Sequence, residues 1–211
     1  MSQFFSIHPD NPQLRLIRQA VEIIRGGGVV VCPTDSCYAL VCHVGDKAAM
    51  ERIRAIREVD ARHHFGLLCR NLAEAAVYAR IDDRQFRLIK AATPGSYAFV
   101  LHATRETPRR LLHPRRKTIG VRIPAHGIVQ ALLAELGEPL LSSTLILPGE
   151  GEPLDDAAEI RARLEHHVDL VIDGGACGTM PTTVVDLTAA TPVITRVGRG
   201  STQLIGVSLG T

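Results

Sequence analysis

Val29-Val30-Val31-Cys32-Pro33-Thr34-Asp35-Ser36-Cys37-Tyr38-Ala39-Leu40 decides how the chain folds. Four apolar residues lie between Gly26-Gly27-Gly28 and Pro33, the pattern of a short strand buried on both faces. Proline ends the strand and turns the chain, so Thr34, Asp35 and Ser36 are presented at its carboxyl end. Ligands of open α/β sheets bind in the crevice outside such ends. Small hydroxyls and a carboxylate there suit a polar ligand. They equally suit a turn whose backbone groups are satisfied by its own side chains.

Upstream, Leu14, Ile17, Val21 and Ile24 recur at helical spacing after Asn11-Pro12, and the three glycines stop that helix. Downstream, Asp46 caps a helix carrying Met50, Ile53 and Ile56, while Asn71 and Asp82 open two more. Strands are expected over Phe65–Cys69, Tyr97–His102, Thr118–Ile123, Pro139–Leu147, Val168–Ile172, Thr183–Leu187 and Pro192–Val197. Helices are expected over His126–Leu136, closed by Gly137, and Ala157–Leu164. Strands alternate with helices early and crowd together late. This is the pattern of an α/β or α+β domain with a twisted, mixed, open sheet. No repeat or Pro/Ser-rich linker divides the chain, so residues 1–211 are read as one domain with its core over about 12–200.

The 211 residues are 45% hydrophobic but only 4% aromatic, without tryptophan, so the core must be aliphatic. A net charge of +2 does not by itself declare a nucleic-acid binder; the placement of charge decides. Five cysteines without a CxxC pair argue against a disulfide framework and for a reducing compartment. The polar first twelve residues show no signal-peptide pattern, and no apolar window reaches membrane-spanning length. A cytoplasmic protein with no membrane partner is expected. Cys32, Cys37 and Cys42, every five residues, suit no tetrahedral metal site. His63-His64 and His166-His167 lack the spacing that puts two ligands on one helix face. Buried thiols, surface histidines and no metal site are expected. Gly26-Gly27-Gly28 leads into a strand and is no phosphate loop. No Gly-x-Ser-x-Gly elbow supports Ser36 as a hydrolase nucleophile.

Pro33-Thr34-Asp35-Ser36-Cys37-Tyr38-Ala39-Leu40 resembles the Pro-Thr-Glu-Thr-x-Tyr-Gly-Leu signature of the YrdC/YciO family. Pro94-Gly95-Ser96-Tyr97-Ala98-Phe99 is similar to its Pro-Gly-Pro-x-Thr segment, and Val121-Arg122-Ile123-Pro124-Ala125-His126 to its Val-Arg-Val-Pro-x-His segment. Thr182-Thr183-Val184-Val185-Asp186 and Arg196-Val197-Gly198 resemble its Ser-Thr-Val-Val-Asp and Arg-x-Gly endings. The motifs keep the family order, with details nearest the YciO branch.

The resemblance implies a single YrdC/RibB-like domain with a concave, positively charged face. It also implies a threonylcarbamoyl-AMP synthase-like nucleotidyltransferase, using L-threonine, bicarbonate and ATP, with Mg2+ on the ATP. Structured RNA or tRNA would be the partner, for t6A modification. Carried over by motif, Thr34, Arg122, Ser142 and Thr182 would hold threonine, and Arg57, Thr144 and Arg196 would face ATP. Guanidinium forks suit carboxylate and phosphate oxygens. No acid–base or nucleophilic residue is assigned, because positioning and charge neutralisation carry such a reaction.

The sequence departs from the family at three places. Its Lys-x-Arg aligns with Arg57-Glu58-Val59, losing one cation and placing Glu58 beside the other. Its Ser-x-Asn aligns with Thr144-Leu145-Ile146, and a family histidine becomes Cys69. Each lost charge-assisted contact costs about 1.5–3 kcal/mol, so nucleotide turnover should be weakened more than threonine binding. The alternative reading is a non-catalytic double-stranded RNA-binding protein of the same fold. Arg109, Arg110, Arg115, Arg116 and Lys117, with Arg105, form the densest positive run. They would track phosphates without aromatics for base stacking. A solvated loop is the competing account of that run.

Overall fold

The computed structural model describes residues 1–60, 63–113 and 115–204. Every apolar run anticipated above becomes a strand. In chain order, β1 (Gln3–Ser6), α1 (Leu14–Arg25), β2 (Val30–Cys32), β3 (Ala39–His43) and α2 (Lys47–Arg57) build the first third. Then come β4 (Gly66–Leu68), α3 (Leu72–Tyr78), α4 (Asp83–Ala92), β5 (Tyr97–His102) and β6 (Thr118–Arg122). The last stretch supplies α5 (Gly127–Leu136), β7 (Leu140–Thr144), α6 (Ala157–Leu164), β8 (Leu170–Asp173), β9 (Thr183–Asp186) and β10 (Val193–Arg196).

Two strands went unanticipated. β3 was hidden inside the hydroxyl-rich motif, and β1 lies in the polar N-terminal stretch, so the sheet begins before residue 12. β1 runs parallel to β8, far away in sequence, and β3 is antiparallel both to its chain neighbour β2 and to the distant β7.

The helix ends are set locally. Asp46, Asn71 and Asp156 each accept a backbone N–H three residues on, and Asp82 with Gln85 forms a reciprocal capping box. Gly27 follows α1 at φ +85°, a conformation that side-chain-bearing residues rarely adopt.

The strands form one open sheet in the order β1-β8-β2-β3-β7-β4-β6-β5-β9-β10, mixing parallel and antiparallel pairs. Alternation along β2 explains its uninterrupted apolar run. Val29 and Val31 face the core under α2, α3, α4 and α6, while Val30 and Cys32 face the core under α1 and α5. The cover is unequal. Phe99, Leu101, Ile119, Val121 and Val185 bury only their own face of β5, β6 and β9, beneath the four-helix layer. The opposite face of those strands carries Gly120, partly buried Ala98 and Val100, and Arg122 at the end of β6. Among the described residues, no buried hydrophobic residue of β5, β6 or β9 packs with α1 and α5.

Leu141 sits mid-sheet on β7 at 1% exposure. Leu141→Ala should cost about 2–5 kcal/mol in urea unfolding. Leu14→Ala, at a position 60% exposed, should stay within about 0.5 kcal/mol of the parent.

Candidate functional site

The turn after β2 is buried. Thr34 and Ser36 have no exposure, although they bear hydroxyls. Thr34 Oγ1 donates to the carbonyl of Cys37 at 2.7 Å and accepts from the backbone N–H groups of Ser36 and Cys37. Of the two sequence readings of this turn, self-satisfaction therefore describes the free protein.

Arg122 meets the turn from the end of β6. Its Nη2 donates to Asp35 Oδ1 at 3.0 Å and Ser36 Oγ at 3.1 Å, with Thr34 Oγ1 at 3.4 Å. Asp35 Oδ2 accepts from the backbone of Ala125, and the Asp35 carbonyl accepts from Ser96 Oγ. The Arg122 and Asp35 side chains are 8% and 7% exposed, which makes this a buried ion pair. Arg122 Nε and, on the neighbouring loop, His126 Nδ1 are buried without a partner among the described residues.

Thr182 and Arg196 form a second corner. Arg196 Nη2 donates to Thr182 Oγ1 at 3.0 Å, and its Nε to the Thr182 carbonyl at 3.1 Å. A register shift between Ile194 and Arg196 pairs Arg196 with Val184, so it lies on the open face while Ile194 stays in the core. The loop between β8 and β9 is held down here. Asp155 Oδ1 accepts from the N–H groups of Cys177 and Gly178, Arg199 donates to the Cys177 carbonyl, and Tyr38 to that of Gly175.

The third corner is the end of α2. Arg57 Nη1 donates to Ser143 Oγ at 2.6 Å, and its Nε to the Ile146 carbonyl at 3.2 Å. His63 Nε2 lies 3.0 Å from Ser143 Oγ and 3.2 Å from Arg57 Nη1. Thr144, one residue further along β7, lies near enough to the Cys37 thiol to pull its pKa down. Ser142 Oγ donates to the Gly66 carbonyl.

Cys37 lies within electrostatic reach of all three corners, with Arg122 and Arg196 acting on its thiol and Arg57 feeling it in turn. Burial raises its thiol above the ordinary value despite two of these cations, Arg122 and Arg196, pulling down, so Cys37 stays neutral. Burial lowers Arg57 and Arg196 from the usual arginine range, and Arg122 pushes Arg196 lower still. Neither Arg57 nor Arg196 pairs with a carboxylate among the described residues. His63 is pushed down to about 4, first by burial and then by Arg57. The site thus holds one neutralised guanidinium, Arg122, and two without a carboxylate partner among the described residues, Arg57 partly buried and Arg196 exposed, that favour an incoming anion.

The structure revises several expectations. Glu58, expected beside Arg57, is the left-handed residue capping α2, and it lines a hollow with Arg52, Arg163 and His166. Cys69, at the family's histidine position, is completely buried, and burial raises its thiol far above the usual range. His63 is not a surface histidine. In the basic run, Arg110 reaches back to the carbonyls of Val44 and Gly45, and Arg116 faces Asp186 at 3.7 Å. Arg109, Arg115 and Lys117 stay exposed. The Asp35 link to Arg122, Ser143 and His63 were not foreseen. Only the adjacency of Ser143 to Thr144 hinted at any of them. Among the described residues no cluster of three or more His, Cys, Asp or Glu can hold a metal ion, and no helix is long and apolar enough to cross a membrane.

Comparison with known proteins shows similarity over nearly the whole chain. The family model Sua5_yciO_yrdC, described as telomere recombination, matches residues 22–198. The uncharacterized protein YciO of Escherichia coli K12 is 57% identical over 203 residues, covering 96% of this chain and 98% of that protein. The crystal structure of E. coli YciO superposes with a TM-score of 0.93 over 97% of this chain and 100% of that one, at 56% identity. The P. abyssi Sua5 structure complexed with L-threonine gives a TM-score of 0.86 at 26% identity, over 93% of this chain and 58% of that one. A threonylcarbamoyl-AMP synthase of Pseudoalteromonas translucida is 28% identical over 176 residues, 81% of this chain and 92% of that protein.

Removing one member of a buried ion pair strands the other, so Arg122→Ala should destabilise the fold by about 3–5 kcal/mol in urea unfolding. Asp35→Asn keeps a group that can accept from Ala125 and should cost less. Equal stability of Arg122→Ala and the parent would show that the pair contributes nothing.

Proposed function

Because the chain belongs to the Sua5/YciO/YrdC family, we propose that it binds L-threonine, bicarbonate and ATP and forms threonylcarbamoyl-AMP for t6A modification of tRNA. The observation that carries this reading is the pair of guanidiniums, Arg57 partly buried and Arg196 exposed, left without carboxylate partners among the described residues around the turn that follows β2.

The threonine amine condenses with bicarbonate to a carbamate, losing water. A carbamate oxygen then attacks the α-phosphorus of ATP and pyrophosphate leaves. The residues have no proton to shuttle in the phosphoryl step; they position the reactants and offset charge. Arg122 takes the threonine carboxylate on the edge not used by Asp35, with Thr34, Ser142 and Thr182 as hydroxyl partners. Arg57, Thr144 and Arg196 face the phosphates. Mg2+ enters as part of the ATP substrate, drawing its ligands from phosphate oxygens and water. In the free protein Thr34 and Thr182 are engaged by Cys37 and Arg196. Ligand binding therefore exchanges these hydrogen bonds for new ones, and the net gain per hydroxyl is small.

The loss of a cation at Val59 weakens the nucleotide side. Val59→Arg should raise threonine-dependent pyrophosphate release by roughly ten- to a hundredfold, as one restored charge-assisted contact implies. Arg196→Ala should lower it by a similar factor. Pyrophosphate release that ignores threonine and bicarbonate, in the parent and in Val59→Arg alike, would sink the reading.

The exposure of Arg105, Arg109, Arg115 and Lys117 along one connection favours a second reading, phosphate-tracking RNA binding. Duplex-RNA affinity should then fall steeply with salt, and removing one of these cations should reduce the slope of log K against log salt by about 1. An unchanged slope in Arg109→Ala, Arg115→Ala and Lys117→Ala would exclude this surface.

A further inference from the structure

The nucleotide side lacks a cation at Val59, but a titratable group stands beside the one that remains. His63 leaves the end of α2 and turns its ring edge-on to Phe65, 5.3 Å between centroids, which fixes its plane. Its Nε2 lies 3.2 Å from Arg57 Nη1 and 3.0 Å from Ser143 Oγ. An N–H of Arg57 directed at that nitrogen requires Nε2 to be an acceptor, so the imidazole is neutral in the free protein. An anion that draws Arg57 toward itself removes this donor and exposes the Nε2 lone pair to the same negative charge.

We propose that His63 is a further phosphate-binding residue, which takes up a proton as a polyphosphate binds beside Arg57 and then donates its Nε2–H to that ligand. This rests on the reading above that the nucleotide lies at Arg57, and it identifies the group that replaces the missing cation.

The charges around the ring favour such a linkage. Arg57 and Arg54 reach it from α2, and His64 and Asp60 from its own connection; the side chain it meets on β7 is the uncharged Ser143. Burial comes first, followed by Arg57, His64 and Arg54, in holding its pKa near 4, while Asp60 pulls the other way. The net field on the empty site is positive. Several phosphate charges at Arg57 reverse its sign and raise the pKa of the ring. A group with a low pKa free and a higher one bound takes up a proton on binding at every pH between the two. Affinity therefore rises as pH falls through that window, by at most tenfold per unit. Above the bound-state value His63 is neutral in both states and adds no charge.

ATP alone, without threonine or bicarbonate, serves as the probe. Its affinity is measured by calorimetry from pH 8 to pH 5, for the parent, His63→Gln and His63→Arg. The terminal phosphate of ATP titrates in all three, so only ratios between proteins are read. The parent should bind ATP increasingly better than His63→Gln as pH falls, with the ratio reaching tenfold or more by pH 5. Two buffers of different ionisation heat should reveal proton uptake in the parent that His63→Gln lacks. His63→Arg should match the low-pH affinity of the parent across the whole range. The NMR titration midpoint of His63 should move upward from about 4 when ATP is added. Identical pH profiles for the parent and His63→Gln, with binding still lost in Arg57→Ala, would overturn the role of His63 alone. A parent that fails to bind ATP would overturn the nucleotide reading, and this inference with it.

Discussion

Asp35 and Arg122 come from strands that are not neighbours: β3, β7 and β4 lie between β2 and β6 in the sheet. Their ion pair therefore bridges the ends of three other strands and holds the turn after β2 over them. The same carboxylate fixes the start of the next loop through Ala125, and the Asp35 carbonyl fixes the turn before β5 through Ser96. One buried charge pair thus sets the mutual position of three loops. Neither partner can be removed singly without leaving a charge in a site shielded from water. Thr34, Ser36 and Cys37 are buried under that constraint although nothing in their chemistry demands burial.

The arrangement also divides the local charge unequally. Arg122 is neutralised at the cost of accepting fewer new partners. Arg57 and Arg196 are held in place by neutral acceptors, the Ile146 carbonyl and Ser143 for one and Thr182 for the other. Neutral acceptors fix the direction of a guanidinium without cancelling its charge. The desolvation already suffered by these groups on folding need not be repeated when a ligand arrives, which is how a preorganised site gains over water. A chain with a net charge of only +2 can gather three guanidiniums around one turn in this way.

The sequence revealed those parts of the fold that depend on near neighbours. Caps at Asp46, Asn71 and Asp82, the stop at Gly137 and the buried run before Pro33 are short-range signals, and each lies where its pattern placed it. β1 pairs with β8 and β3 with β7, each about a hundred residues or more away, and their own residues do not alternate cleanly. The bulge that delivers Arg196 to the open face is likewise invisible to periodicity, since two-residue alternation would leave it on the side of Ile194. Motif order brought Thr34, Arg122, Thr182, Arg57 and Arg196 into view. The contacts among them required the packing of four separate segments.

Position 146 shows how the same site tolerates its departures. The family carries an asparagine there, and Ile146 cannot replace its side-chain hydrogen bonds. Its carbonyl nevertheless accepts from Arg57 Nε at 3.2 Å, a bond that any residue type supplies. The backbone of that position orients the remaining cation whether or not its side chain touches a ligand. Ser143 adds the second fixed acceptor, on the face of β7 turned toward α2, and brings His63 with it. The change from asparagine to isoleucine therefore removes a contact while leaving the placement of Arg57 intact. On the reading proposed above, a nucleotide at Arg57 would meet a site that keeps its geometry and loses strength. A loss of that kind is one that a nearby proton can offset.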